Sequence, residues 1–284
     1  MQQLKRISIL GCGWLGLPMA LDLIKKGYRV KGSCTSSEKS KKLRSQKIDP
    51  FLIDLNNLNE SIANFFLESD ILIFAIPPSK FQPEKLEEFV ELIGNSEIKK
   101  VIVISSTGIY RESNCEITEQ NAYSFIRQES LLNYVETTFN SNLIFETTTL
   151  QIAGLIGYDR HPGKYSTSKA VLSNPNGRVN MIHRDDVIRI VEEVIHQNCW
   201  DETFMCCSDE HPTKKEYYTN AAAELNLPIP VFENVTNDGF KIINNQKVKE
   251  QLNFNFLDLN KFYLAIKKNA ENTEHTKSSA DKRK

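Results

Sequence analysis

Residues 5–32 read KRISILGCGWLGLPMALDLIKKGYRVKG, an apolar run that stops at a glycine-rich turn and continues as an amphipathic pattern. The spacing predicts a strand, a tight turn and a helix. In the turn, Gly11 permits a bend that a Cβ would block, Gly13 allows a pyrophosphate to approach the backbone, and Gly16 allows close helix–strand packing. A second strand pattern at 28–32 completes a βαβ unit, so the stretch predicts a dinucleotide site.

The composition argues against several classes of protein. The 284 residues carry a formal net charge of −1, and no basic excess points to nucleic acid as a partner. The apolar stretch between Arg6 and Cys12 is too short for a signal peptide, and Asp22 interrupts what would have to be a membrane span. The six cysteines show no metal-ligand spacing. We therefore expect a cytoplasmic protein with reduced thiols, no bound metal and no membrane partner.

The alternation of apolar strand and helix patterns continues along the chain. Strands are predicted at 51–55, 70–76 and 100–105, with helices at 58–67 and 83–93 between them. This order predicts an α/β fold, a Rossmann-type doubly wound parallel sheet. Such sheets bind ligands at the carboxyl ends of their strands.

The end of the second strand bears on the choice of dinucleotide. A site for NAD usually places an Asp or Glu there to bind the ribose 2′-hydroxyl, whereas this chain has hydroxyl side chains followed by Lys39. Hydroxyls and a cation suit a 2′-phosphate, so the sequence favours NADP, with NAD as the alternative. The predicted cofactor contacts are Gly11, Gly13, Trp14, Leu15, Gly16, Ser33, Thr35, Ser36, Lys39, Asp54, Ala75, Ile76, Pro77 and Ser105.

The chain resembles two families. Residues 11–30, GCGWLGLPMALDLIKKGYRV, look like the amino-terminal signature of the β-hydroxyacid dehydrogenases. Beyond residue 100 the chain instead resembles the extended short-chain dehydrogenase/reductases, the NAD(P)-dependent epimerase/dehydratase group, and especially its atypical members that use G-x-G-x-x-G. This second resemblance lies in SSTGIY at 105–110, ITE at 117–119, LQIAGLIGYDRHP at 150–162, RVNMIHRDDV at 178–187, and 202–216. The first family would be mostly helical after residue 165; the second predicts strands near Gln151 and Phe204.

The resemblance to the short-chain enzymes implies a catalytic hydroxyl and a Y-x-x-x-K pair, in which the lysine lowers the pKa of the tyrosine. Ser106 occupies the hydroxyl position, four residues before Tyr110. Where the family has its pair, on a helix between residues 115 and 140, this chain offers Tyr123 and Arg127. Arginine keeps the positive charge but cannot be deprotonated, so it is an imperfect substitute for lysine.

Two alternatives to this pair stay open. One is a site without a standard dyad, as in many atypical members. The other is Tyr165 with Lys169, which spells Y-x-x-x-K but follows the sixth strand and therefore suits the substrate-side loop better.

The predicted substrate contacts share polar side chains that follow late strands. Arginine supplies a planar fork for a phosphate or carboxylate. His183 precedes two aspartates and a helical pattern, so it could equally be a helix cap. The predicted substrate-binding residues are Tyr110, Arg160, His161, Asn180 and His183.

Together these features predict an NAD(P)-dependent oxidoreductase or epimerase/dehydratase-like enzyme for a small polar substrate, nucleotide- or sugar-linked compounds included. A sensor or scaffold that binds NADP(H) without turnover is one alternative, and a β-hydroxyacid dehydrogenase-like enzyme is another. We expect a monomer or homodimer.

The predicted organisation has three parts. Residues 1–165 form the NAD(P)-binding domain, whose core strands continue to about 205. Residues 166–266 form a small substrate-binding lobe interleaved with the last sheet elements. Residues 267–284 contain no large apolar residue and are predicted to be a disordered tail.

Overall fold

The structure, a computed structural model, describes residues 5–234 and 239–259. Its strands are β1 (Arg6–Leu10), β2 (Arg29–Cys34), β3 (Asp49–Leu52), β4 (Ile71–Phe74), β5 (Lys100–Ser106), β6 (Cys115–Ile117), β7 (Glu146–Ile152), β8 (Gly154–Ile156), β9 (Met181–His183), β10 (Thr203–Cys206) and β11 (Lys241–Ile243). Its α-helices are α1 (Gly16–Lys25), α2 (Ser37–Ser45), α3 (Glu60–Leu67), α4 (Pro83–Gly94), α5 (Leu131–Asn140), α6 (Pro162–Thr167), α7 (Arg184–Gln197), α8 (Lys214–Glu224) and α9 (Gln246–Gln251).

Seven strands form one parallel sheet in the order β10-β7-β5-β4-β1-β2-β3. The order reverses at β1, which lies between β4 and β2, as in a doubly wound sheet. The predicted Rossmann-type fold is therefore confirmed. The strands predicted near Gln151 and Phe204 are β7 and β10, so the carboxyl half does not follow the mostly helical alternative.

Successive strand residues point to opposite faces of the sheet, and both faces are apolar. On one face, Ile7 and Ile9 pack in one buried cluster with residues of α1 and α7. On the other face, Leu72 and Phe74 pack with residues of α3, α4 and α5. The sheet is thus covered on both sides, and its carboxyl edge lies between the two layers of helices.

Two small sheets lie outside the main one, and each pairs an earlier strand with a strand of the carboxyl lobe. β8 pairs with β9, and β6 pairs with β11. Asn180 joins these parts: its amide donates to the Lys241 carbonyl at 3.0 Å, and its Oδ1 accepts from the Ile243 N–H at 2.9 Å. Both ends of the Asn180 amide thus help to hold β11, and its contact with substrate stays a prediction.

The predicted tail, 267–284, lies outside the described residues. Within 5–234 and 239–259, no helix has the length and apolar character needed to cross a membrane.

His183 begins α7 as its N-cap. Its Nδ1 accepts the Asp185 N–H at 3.2 Å, and the side chain is fully buried. Burial also lowers the pKa of His183 below its usual value, which favours the neutral ring that such a cap requires. Of the two interpretations of His183, the structure therefore favours the helix cap, and the substrate contact is corrected.

Asp186 provides a pH-dependent contribution to stability. Its buried carboxylate accepts from Arg189 at 2.7 Å and from the Leu257 N–H at 3.0 Å, and burial raises its pKa to about 6. The folded chain therefore binds more protons than the unfolded chain between about pH 4 and pH 6. The contribution of Asp186 to the free energy of unfolding is therefore complete below about pH 4 and is lost as the pH rises through about 6.

We expect Asp186→Asn to remove this contribution. In urea unfolding at pH 4.5 and 7.5, the fall in the free energy of unfolding should be about 2 kcal/mol smaller in the variant than in the unchanged protein. Asp185→Asn, a neighbour with a partly exposed side chain, is the matched control. Equal pH slopes for Asp186→Asn and the unchanged protein would contradict this assignment.

Candidate functional site

A groove of about 450 Å³ lies at the carboxyl ends of β1, β4, β5 and β7. It is formed where a doubly wound sheet places its ligands, at the edge between the two helix layers. Nine of the predicted cofactor residues line it: Gly11, Gly13, Trp14, Leu15, Gly16, Ala75, Ile76, Pro77 and Ser105. The groove is also lined by Ser106, Leu132 and Arg160.

The glycine turn has the geometry that the sequence predicts. Gly11 has φ +108°, and a Cβ there would lie 2.8 Å from the Ala75 carbonyl oxygen. A Cβ on Gly16 would lie only 2.3 Å from the Gly11 carbonyl oxygen. At Gly13 a Cβ would meet no atom within 4 Å, so this backbone faces open space. The turn therefore fits a pyrophosphate, which would occupy the space that a side chain at position 13 would fill.

The predicted cofactor contacts at the end of β2 and just after it divide into two groups. Ser33 is buried and its Oγ accepts the Gly11 N–H at 2.8 Å, so it supports the turn and its prediction as a cofactor contact is corrected. Ser36 is the N-cap of α2 and accepts the Lys39 N–H at 3.3 Å. Thr35 and Lys39 have exposed side chains, and their contact with a 2′-phosphate stays a prediction.

Asp54 is the N-cap of a short 3₁₀ turn after β3. Its Oδ1 accepts the Asn56 N–H at 3.0 Å, and the residue is exposed. One carboxylate oxygen is thus used to hold the turn. A contact between Asp54 and the adenine stays a prediction.

The two serines at the end of β5 have different partners. The Ser105 hydroxyl donates to the buried carboxylate of Glu136 on α5. The Ser106 Oγ accepts the Gly108 N–H at 3.1 Å, which fixes the oxygen and lets the O–H donate into the groove. Ser106 can therefore orient a substrate oxygen, the role that the sequence predicts for it.

The predicted Tyr123–Arg127 pair is not brought into the groove. Tyr123 lies on a 3₁₀ turn, Ala122–Phe125, with 79 % of its surface exposed, and Arg127 is exposed after that turn. Tyr123 lines a different cavity of about 730 Å³, which we call the second cavity. The helix expected to carry the pair is absent at residues 122–127, because Ile126 bridges Tyr110 and α5 starts only at Leu131.

Helix α5 borders the groove, and the residue that it contributes is Leu132. The single tyrosine of this helix, Tyr134, points to α4, where its hydroxyl donates to Glu87 at 2.6 Å. The helix contains no lysine. A standard Tyr–Lys dyad is therefore absent from the helix beside the groove, which agrees with the alternative of a site without one.

A chain of buried polar side chains runs from the groove to the second cavity. Ser105 donates to Glu136, the Gln151 amide donates to the other Glu136 oxygen at 2.8 Å, and the Tyr110 hydroxyl donates to the Gln151 carbonyl oxygen. Burial raises the pKa of Glu136 and of Tyr110. Tyr110 is 1 % exposed and lines the second cavity, not the groove, so its contact with substrate stays a prediction.

A substrate-side cavity of about 490 Å³ adjoins the groove. It lies between β8 and the carboxyl lobe, and three residues, Gly154, Leu155 and Arg160, line both spaces. Arg160 thus lies where the sequence predicts a substrate contact. Tyr165 also lines this cavity and contacts the ring of Tyr218, with the centroids 5.6 Å apart. The alternative partner of Tyr165, Lys169, lies after α6 and does not line the cavity.

His161 lines the same cavity but is buried as the N-cap of α6. Its Nδ1 accepts the Gly163 N–H at 3.1 Å, and its Nε2 lies 3.3 Å from a Glu224 oxygen. Burial lowers the pKa of His161 to about 4, so the ring is neutral at pH 7. Both ring nitrogens thus face groups of the fold, and the neutral ring supplies no positive charge to the cavity.

Several residues of the site were missed from the sequence. Lys164 and Tyr218 line the substrate-side cavity, Leu132 lines the groove, and Glu136 is bonded to Ser105. Ser130, which caps α5 by accepting the Asn133 N–H, was the local signal that could have placed Leu132 in the first turn of that helix.

Comparison with known proteins agrees with this geometry. Residues 6–126 match the family model of the NAD binding domain of 6-phosphogluconate dehydrogenase. The chain is 25 % identical over 264 residues to the protein YeeZ of Escherichia coli K12, covering 89 % of this chain and 96 % of that protein.

Solved structures share the whole fold. A short-chain dehydrogenase/reductase superfamily protein from Agrobacterium tumefaciens with bound NAD is 13 % identical, with a TM-score of 0.76 over 97 % of this chain and 99 % of that one. UDP-glucose 4-epimerase from Thermotoga maritima with UDP-glucose is 14 % identical, with a TM-score of 0.72 over 94 % and 99 %.

The glycine turn and the sheet order define a class, a Rossmann-type α/β protein, and residues 6–126 are similar to an NAD binding domain. Within that class, the matched domain covers residues 6–126, and the fold of the whole chain is shared with short-chain dehydrogenase/reductase structures.

Proposed function

We propose that the chain is an NADP(H)-dependent oxidoreductase or epimerase/dehydratase-like enzyme, an atypical member of the extended short-chain dehydrogenase/reductases. Its substrate is a small polar molecule with an anionic group, nucleotide- and sugar-linked compounds included. The observation that carries the proposal is the junction at Arg160, where the dinucleotide groove meets the substrate-side cavity.

Each part of the site has a stated role in this proposal. The backbone at Gly13 receives the pyrophosphate, and the exposed Thr35 and Lys39 receive the 2′-phosphate. A nicotinamide held in this groove would supply or accept a hydride. Ser106 orients the substrate oxygen through its hydroxyl, and Arg160 binds the anionic group of the substrate through its planar fork.

One observation favours a second candidate function. The helix beside the groove contributes Leu132, so no tyrosine on α5 can exchange a proton with the substrate. A protein that binds NADP(H) and signals its redox state without turnover needs no such group. The two functions differ in one property, since only the enzyme depends on the Ser106 hydroxyl for turnover.

Thermal unfolding with NADPH, NADP⁺, NADH and NAD⁺ in parallel tests cofactor binding. A ligand at 100 times its dissociation constant stabilises the folded state by about 2.7 kcal/mol. We expect the two phosphorylated dinucleotides to raise the Tm at lower concentrations than the other two. If none of the four raises it, the proposal is wrong.

Ser106→Ala tests turnover. Small hydroxy and carbonyl compounds, with and without phosphate or carboxylate groups, are screened by absorbance of the reduced nicotinamide, and isomerised products by NMR. We expect Ser106→Ala to lower kcat/KM about 100-fold, since it removes a donor to the reacting oxygen. The control is Tyr123→Phe, which changes the exposed tyrosine outside the groove and should be neutral. Full activity in Ser106→Ala would contradict the catalytic role of that serine.

A further inference from the structure

Trp14 follows Gly13 in the glycine turn, and two arginines contact its ring. The Arg160 guanidinium is 4.2 Å from the centroid of its ring, and the Arg184 guanidinium is 4.7 Å from it. Arg184 also lies 4.6 Å from the ring centroid of Tyr158. We call Arg160, Trp14, Arg184 and Tyr158 the arginine–tryptophan stack.

Polar contacts fix both ends of the stack. The Trp14 indole N–H donates to Asp159 at 2.7 Å, and the Tyr158 hydroxyl donates to Asp185 at 2.6 Å. Arg184 in turn reaches the Trp14 carbonyl at 3.5 Å. The loop 157–161 is therefore attached to the glycine turn by three contacts. Arg160 contacts the Trp14 ring, Asp159 accepts the Trp14 indole N–H, and Arg184 contacts the rings of both Trp14 and Tyr158.

The same loop adopts an uncommon backbone conformation. Tyr158 has φ +41°, a region that residues with a side chain rarely occupy, and it follows Gly157 with φ +142°. Such a conformation persists only where the surrounding contacts hold it. The stack supplies these contacts, so it determines where the next residues of the loop, including Arg160, are placed.

Arg160 is exposed and long, so a free side chain would lose rotamer entropy on binding an anion. Stacking on Trp14 removes much of that freedom in advance, while the N–H edges of a face-stacked guanidinium stay directed outward. Asp159, the nearest carboxylate in the loop, is held by the Trp14 indole. The two cations that line the substrate-side cavity are Arg160 and Lys164.

We propose that Trp14 is a positioning residue, which holds Arg160 at the junction of the groove and the substrate-side cavity so that it binds a phosphate or carboxylate of the substrate. This inference rests on the proposed function, because it assigns the anion at Arg160 to the substrate. The other source of such an anion is the pyrophosphate of the dinucleotide itself, and the experiment separates the two.

The experiment titrates inorganic phosphate into the full chain saturated with NADPH, and follows binding by calorimetry. We expect the phosphate Kd to rise about tenfold in Trp14→Ala, and to stay within about threefold in Trp14→Phe, which keeps an aromatic face for both guanidinium groups. Arg160→Ala should raise it at least as much as Trp14→Ala. The Kd of NADPH is measured by its fluorescence in every variant, so that each phosphate titration starts from the saturated protein. In Arg160→Ala it should stay within about threefold of that of the unchanged chain.

The matched control is Trp200→Phe, since Trp200 is the other tryptophan of the chain and packs under Lys100 near β5. It should leave both dissociation constants unchanged. If Trp14→Ala does not fold, Arg184→Ala replaces it; this variant removes the second guanidinium that contacts the Trp14 ring and should raise the phosphate Kd about threefold.

Four outcomes would overturn the inference. An unchanged phosphate Kd in the folded Trp14→Ala or Arg184→Ala protein would remove the positioning role. Loss of NADPH affinity in Arg160→Ala would assign the anion to the dinucleotide. A change in Trp200→Phe as large as that in Trp14→Ala would indicate a general effect on the fold. Binding of NADPH without any binding of phosphate would refute the inference alone, whereas no binding of NADPH would refute the proposed function.

Discussion

Gly13→Val should abolish dinucleotide binding and leave the fold intact. A Cβ at position 13 meets no protein atom within 4 Å, so the folded chain has room for the new side chain. That room is the approach to the turn, where the phosphates come within hydrogen-bond distance of the backbone. We expect the Kd of the preferred dinucleotide to rise at least about 100-fold, equivalent to about 2.7 kcal/mol of binding free energy.

The measurement is a fluorescence titration with NADPH, paired with urea unfolding of the ligand-free protein. The free energy of unfolding should stay within about 1 kcal/mol of that of the unchanged chain. Gly13→Ala gives the graded control, because its single methyl group should weaken binding less than valine does. Dinucleotide binding at full strength in Gly13→Val would place the cofactor elsewhere and would remove the basis of the proposed function.

The parts of the fold that could be predicted are those with local signals. The turn from β1 to α1 is set by three glycines, and α4 by Pro83 at its first turn and an apolar face. The buried strands β4 and β5 are continuous apolar runs between polar segments. Each of these elements is specified by about a dozen neighbouring residues. The alternation of strands and helices, and with it the parallel sheet, could therefore be predicted from the sequence.

Three of the predicted contact residues have structural roles that share a physical cause. Ser33, His183 and Asn180 are polar residues at the right points of the chain, but their polar atoms are used by backbone groups. The partners of Ser33 and Asn180 lie 22 and 61 residues away in sequence, so no local pattern reveals that these atoms are already occupied. A buried polar group must find a partner, and these residues find theirs in the fold.

The Tyr123–Arg127 prediction failed for a different reason. It placed the pair on a helix between residues 115 and 140. Phe125 and Ile126 instead pack against the core, and the helix begins only at Leu131, with Ser130 as its N-cap. The cavity residues Lys164 and Tyr218 come from α6 and α8, which meet only in the folded lobe. Their proximity depends on packing between elements about 50 residues apart, which the sequence alone does not give.

Gly16→Ala should destabilise the protein strongly, whereas Gly13→Ala should not. The added Cβ would lie 2.3 Å from the Gly11 carbonyl oxygen and 3.1 Å from its carbon, both backbone atoms. Because neither is the end of a flexible side chain, α1 must move away from the turn or the turn must change its conformation. We expect a loss of about 3 kcal/mol or more in the free energy of unfolding.

A loss of that size lowers the Tm by roughly 6 to 12 °C in a chain of this length. Gly13→Ala is the matched control, since it adds the same methyl group to the same turn where space is open. Alanine is also the better helix former, by up to about 1 kcal/mol, so propensity alone would make Gly16→Ala stabilising at the start of α1. A higher Tm in Gly16→Ala would therefore show that the close approach of α1 to the turn is not maintained in solution. A fall confined to Gly16→Ala would show that this contact fixes the distance between helix and strand, on which the open space at Gly13 depends.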